Sequence, residues 1–165
     1  MNAYIDGKRC IVTSNNLKSR LIEKGFGTKK EDLLILDLFE SYFLLETKKI
    51  KITKDEKEIT ITQLKEHIKK YIKEFTDKYL VYKDFREKGF IVKDGAIFGF
   101  DFRVYEGNSK THQHTKYVVD VKKTHKDEMT KVIKSERLAN SIKTKYVIAI
   151  IDQEDKITKI KLERI

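Results

Sequence analysis

The segment Gly99-Phe100-Asp101-Phe102-Arg103-Val104-Tyr105 constrains the fold most, because its polarity alternates residue by residue. Phe100, Phe102 and Val104 are expected on one face and Asp101, Arg103 and Tyr105 on the other, the period of a half-buried strand within Ala96–Tyr105. Tyr105 then stands at the strand's end on the polar face, beside Gly107-Asn108-Ser109. His112 and His114 return to that neighbourhood just before a second strand, Lys116 to Lys122. A helix over about Asp127 to Lys143 separates these strands from two more, Tyr146–Asp152 and Lys156–Glu163. Strands on both sides of one helix predict an α/β unit whose mixed sheet is flanked by helices. A tyrosine and a histidine converging at a strand end suit proton-transfer chemistry.

The chain of 165 residues carries 36 Lys and Arg against 26 Asp and Glu, a net charge of +10. Residues 1–75 hold 16 basic and 12 acidic groups, and residues 76–165 hold 20 and 14. The excess is a distributed field rather than a basic tail, which suits a folded surface facing phosphates, while composition alone equally fits codon bias or heat adaptation. Cys10 is the only cysteine, which excludes a disulfide framework and a thiolate cluster and fits a reducing cytoplasm. No apolar run approaches a membrane span, and Met1 to Asp6 does not read as a signal peptide. Gly95-Ala96-Ile97-Phe98-Gly99 lacks the Lys-Ser/Thr of a phosphate loop. His112 and His114 have no supporting Cys or His cluster, and His67 and His125 read as bystanders. No metal and no cofactor is expected.

The first half reads as a small α+β unit over 1–75, followed by the α/β unit over 76–165. Ala3-Tyr4-Ile5 and Arg9 to Val12 form a strand pair around Asp6-Gly7. Thr28 and Glu31 fit a capping box ahead of a mostly apolar helix, Asp32 to Thr47. Ile50, Ile52, Ile59 and Ile61 mark a second strand pair, and Leu64, Ile68, Tyr71, Ile72 and Phe75 an amphipathic helix. Tyr79 to Lys88 is a further helix, ended by Gly89. The chain contains no proline, so its turns rest on Gly, Asn and Asp.

Several ordered motifs resemble those of archaeal tRNA-splicing endonucleases. Tyr79-Leu80-Val81-Tyr82-Lys83-Asp84-Phe85-Arg86-Glu87-Lys88-Gly89-Phe90-Ile91-Val92-Lys93 is similar to the family's helix–strand entry to the catalytic domain. The "G-x-DFxxY" strand matches Gly99 to Tyr105, and the "HSxY" segment matches His114-Thr115-Lys116-Tyr117. The "RxAxSV…IAIVD" unit matches Arg137-Leu138-Ala139-Asn140-Ser141-Ile142 and Ile148-Ala149-Ile150-Ile151-Asp152.

The resemblance implies metal-independent excision of introns from precursor tRNA at bulge–helix–bulge junctions, leaving a 2′,3′-cyclic phosphate and a 5′-hydroxyl. Tyr105 is then the general base, His114 the general acid, and a lysine the cation on the crowded phosphate. Tyrosine as a class titrates near ~10, so a base of this type needs a neighbouring cation. The family's lysine position is Thr144 here, flanked by Lys143 and Lys145. Lys145 at the strand start is the first choice, with Lys143 as the alternate. Arg137 is expected to stack on a bulged base. Asp152, Glu154 and Asp155 are expected to dock on neighbouring subunits of a homo- or heterotetramer. The departure at Thr144 keeps open a non-catalytic structural subunit, and composition keeps open a basic RNA-binding module without chemistry.

Overall fold

The computed structural model describes residues 3–107, 114–123 and 129–163. The chain forms two compact units, Met1–Phe75 and Thr76–Ile165, each built on a mixed sheet.

In the first unit, β1 (Ala3–Asp6) and β2 (Arg9–Val12) form a hairpin, with β1 also lying parallel to β5 (Ile52–Lys54). Helix α1 (Asn15–Glu23) follows, then β3 (Thr28–Lys30), β4 (Leu33–Leu36), α2 (Leu38–Glu46), β6 (Lys57–Glu58) and α3 (Ile61–Lys69). The sheet order is β3-β4-β2-β1-β5-β6. The helix expected over Asp32–Thr47 is a strand and a helix instead. Its apolar run is continuous because β4 buries Leu34 and Leu36 on one face before α2 buries nearly its whole circumference. Asp37 divides the two: it accepts from Glu40 N at 2.8 Å, while Glu40 accepts from Asp37 N at 3.0 Å and from Gly27 N at 2.9 Å. The capping box therefore belongs to Asp37 and Glu40, and Thr28 lies in β3. A second box, Thr60 with Gln63, starts α3 where a strand through Ile61 was expected.

The amphipathic run from Leu64 to Phe75 also divides. Helix α3 stops at Lys69, Glu74 takes a left-handed φ of 56°, and α4 (Phe75–Glu87) begins. His67 is not a bystander on a solvated face. It is buried, with Nε2 2.7 Å from the Gly7 carbonyl and Nδ1 3.4 Å from Lys54 Nζ.

The second unit continues from α4 through β7 (Ile91–Asp94), a 3-10 turn (Ala96–Phe98), β8 (Phe102–Tyr105), β9 (Tyr117–Lys123), α5 (Met129–Ser141), β10 (Lys145–Ile151) and β11 (Ile157–Leu162). The order is β11-β10-β9-β8-β7, with β9 and β10 parallel across the α5 crossover and the other pairs antiparallel. The strand expected over Ala96–Tyr105 is short because the chain turns first. A Cβ on Gly95 would lie 2.8 Å from the Phe100 carbonyl, and Gly99 has a φ of 80°. Phe100 and Phe102 are consequently not on one face. Phe102 packs near Tyr82 of α4, whereas Phe100 joins Val118, Ala139 and Tyr146 under α5. Helices cover both faces, so both rings are buried despite opposite directions.

Four helices end in the same hydrogen-bonded cap. After α5, Thr144 N donates to Ala139 O and Lys143 N to Asn140 O, with Lys143 left-handed at φ 55°. The same pattern follows α1, α2 and α4, with Gly25, Lys48 and Gly89 in the left-handed place. This is the Schellman arrangement, which glycine fills without strain and lysine does not.

Candidate active site

Tyr105 ends β8 and pairs across from Ile91. Beyond it, Gly107 meets Gly89 so closely that an added Cβ would lie 2.1 Å from the Gly89 carbonyl oxygen. The chain therefore leaves the strand against the α4–β7 junction, where no side chain fits. Asn108, Ser109 and His112 fall outside the described residues.

Two hydrogen bonds bring the sequence-predicted segments to one end of the sheet. Lys116 N donates to the Val104 carbonyl at 2.8 Å, joining the His114 segment to the residue before Tyr105. Thr144 Oγ1 donates to the Thr115 carbonyl at 2.9 Å, joining that segment to the α5–β10 junction. His114 is exposed and immediately precedes Thr115, while Lys143 is exposed and immediately precedes Thr144. Thr144 itself is buried. Its hydroxyl ties two backbone segments together.

The strand register separates the two candidate lysines. Val104 lies opposite Tyr117, and Tyr117 opposite Lys145. Directly paired residues share a face, and alternation puts Tyr105 on the other one. Lys145 therefore stands on the Val104 face, where its ammonium lies 3.4 Å from Glu163. Lys161, then Lys145, hold the Glu163 carboxyl below the usual range. The first-choice lysine of the sequence and Tyr105 are thus on opposite faces.

Asp101 fixes the start of β8. Its backbone N donates to Val119 O at 3.0 Å, its Oδ2 accepts from Val121 N at 2.8 Å, and its Oδ1 lies 2.7 Å from Lys78 Nζ. Asp120 beside it accepts from Tyr146 Oη at 2.8 Å. Burial pushes the Asp120 carboxyl up, and the Tyr146 hydrogen bond opposes this without cancelling it. Sequence alternation places Asp101 on a polar face but carries no sign of this half-buried network.

Arg137 is exposed on α5 and, among the described residues, pairs with no carboxylate. The acidic turn is partly self-satisfied. Asp152 Oδ1 accepts from Glu154 N at 2.8 Å and Lys156 N at 2.9 Å, so it shapes the turn. Glu154 lies 3.1 Å from Lys156, and Asp155 is left-handed at φ 60°. Among the described residues no group of three or more His, Cys, Asp or Glu is placed to hold a metal, and no helix is long and apolar enough to cross a membrane.

Residues 75–159 match the family model of the tRNA intron endonuclease catalytic C-terminal domain, and residues 1–65 match that of the N-terminal domain. The chain is 32% identical to a tRNA-splicing endonuclease of Pyrococcus abyssi over 97% of its own length and 94% of the relative's. It is 32% identical to one of Pyrococcus furiosus, with the same coverage. A Methanococcus vannielii tRNA-splicing endonuclease is 31% identical over 94% of this chain and 89% of its own length. With both domain models matched in order on the two units, the chain belongs to the tRNA intron endonuclease family.

Proposed function

We propose that this chain is a catalytic subunit that excises introns from precursor tRNA at bulge–helix–bulge junctions in the cytoplasm. The carrying observation is the convergence of Tyr105, the His114 segment and Lys143 at one end of the sheet through two hydrogen bonds. Tyr105 removes the proton of the 2′-hydroxyl, whose oxygen attacks the adjacent phosphorus. The 5′-oxygen leaves with a proton from His114. Charge that builds on the equatorial oxygens is met by a lysine. Lys143 is favoured over Lys145 because the register puts Lys145 on the opposite face. Arg137, without a carboxylate partner among the described residues, suits stacking on a bulged base. The acidic turn, shaped by Asp152, presents Glu154 and Asp155 to basic surfaces of neighbouring subunits in a tetramer.

The products test this chemistry. Precursor tRNA incubated with the protein and excess chelator is expected to give a 2′,3′-cyclic phosphate and a 5′-hydroxyl. A 3′-hydroxyl with a 5′-phosphate, or loss of activity on chelation, contradicts it. The buried Thr144 supports one second reading, a structural subunit whose partner supplies the active sites. That reading predicts cleavage only in the heteromer, with no loss when Tyr105 and His114 are replaced.

A further inference from the structure

The 3-10 turn between β7 and β8 leaves Ile97 83% and Phe98 37% exposed, although both are large and apolar. Over the Phe98 ring, 5.3 Å from its centroid, sits the guanidinium carbon of Arg103. Arg103 Nε donates to the Asp94 carbonyl at 2.9 Å, which anchors the group to β7. Among the described residues no carboxylate pairs with it. Asp94, whose carbonyl holds Arg103, uses its own side chain to accept from Ala96 N at 2.8 Å at the start of the turn.

This cation is placed beside the candidate active site. Arg103 shares its face with Tyr105, about 7 Å back along the strand. The turn also abuts α5, because a Cβ on Gly99 would lie 3.8 Å from Cδ2 of Leu138, the residue after Arg137. An arginine held over a part-exposed ring, with no carboxylate partner among the described residues, does little for stability. Its geometry instead suits an incoming anion, since a guanidinium grips phosphate oxygens through paired donors. Fixing the group in advance reduces the ordering cost of binding.

We propose that Arg103 and Phe98 form a clamp for an RNA backbone phosphate next to the one at Tyr105. Arg103 contacts the phosphate and Phe98 holds Arg103 in position. The exposed Ile97 and Phe98 surface lies open to an unstacked neighbouring base. The net charge of +10 favours RNA as the occupant over an apolar protein surface. The clamp rests on the RNA-cleaving reading and deepens it.

The test is equilibrium binding of an intron-containing precursor tRNA whose junction 2′-hydroxyls are replaced by hydrogen, so that no cleavage intervenes. The parent protein is expected to bind with strong salt dependence. Arg103→Gln should raise Kd about tenfold or more and reduce the slope of log K against log salt by about one. Phe98→Leu keeps apolar bulk without the ring and should raise Kd about two- to fivefold with the slope unchanged. On cleavable precursor both variants should raise KM and leave kcat near the parent value. If Arg103→Gln does not fold, as read by its melting curve, the Phe98→Leu result decides alone. Parent-like Kd and slope for the folded variants would overturn the clamp, as would a change in assembly mass without a change in RNA affinity. A parent protein that binds no precursor overturns the RNA-cleaving reading as well, and is distinguished by appearing before any substitution.

Discussion

Replacing Lys143 by glycine should make the protein more stable and less active. Lys143 sits at φ 55° in the cap that ends α5. The left-handed conformation costs an L-residue about 1–2 kcal/mol, which glycine avoids. Glycine also loses about 0.5–1 kcal/mol more chain entropy on folding, so the net gain is about 0.5–1 kcal/mol. For a unit spanning residues 76–165 that corresponds to a rise in Tm of about 2–8 °C. Removing a preorganised cation from a phosphate transition state costs ~10²–10³ in rate. Lys48 supplies an internal control, because it holds the equivalent place after α2 at φ 55° in the other unit. Lys48→Gly should raise stability to a similar extent and leave activity at the parent level. Thermal unfolding and single-turnover cleavage of precursor tRNA read the two effects separately. A Lys143→Gly protein that cleaves at the parent rate removes Lys143 from the mechanism. One that melts lower than the parent refutes the strain argument.

Three further outcomes follow from the same structure. Arg137→Lys keeps the charge but loses the planar group, so it should lower cleavage of bulged substrates while leaving the salt slope of binding unchanged; parent-like cleavage would exclude stacking. Glu154→Gln with Asp155→Asn leaves the turn-forming Asp152 in place, and sedimentation should show the tetramer dissociating while the subunit fold persists; an unchanged mass excludes docking by this turn. Burial pushes the Cys10 thiol up to about 12, an effect that a hydrogen bond with Ser41 only partly opposes. It should therefore resist a disulfide reagent at pH 8 until the first unit unfolds, and rapid labelling of the native protein would contradict that.

The sequence carried the fold unevenly, for physical reasons. Alternation located β8 and the position of Tyr105, but it could not show that Phe100 turns to the opposite side from Phe102. Both faces of this sheet are covered, so burial alone does not distinguish them. The run from Leu33 to Leu45 concealed a strand-to-helix change because the apolar residues of β4 lead directly into an almost fully buried α2. The signal that separates them was present as Asp37 and Glu40, three residues apart. Helix α1 had little to mark it, since Ser14 makes no side-chain cap hydrogen bond.

The candidate site shows the same division. Local motifs led to Tyr105, His114 and Thr144, whose segments lie at one end of the sheet. That Lys145 stands on the opposite face from Tyr105 depends on the pairing of β8, β9 and β10, which no local pattern specifies. The burial of His67 against Gly7, sixty residues away in sequence, was beyond local reading for the same reason. The placement of Arg103 over Phe98 depends on the tight turn at Gly95 and Gly99, which residue-by-residue alternation does not reveal.

The most direct measurement is cleavage of an intron-containing precursor tRNA by the fully assembled enzyme carrying Tyr105→Phe and, separately, His114→Ala in this chain. Each variant should assemble and bind precursor as the parent does, while its single-turnover rate falls by about 10²–10⁴. If both variants cut at the parent rate, the chemistry belongs to another subunit and this chain is its scaffold.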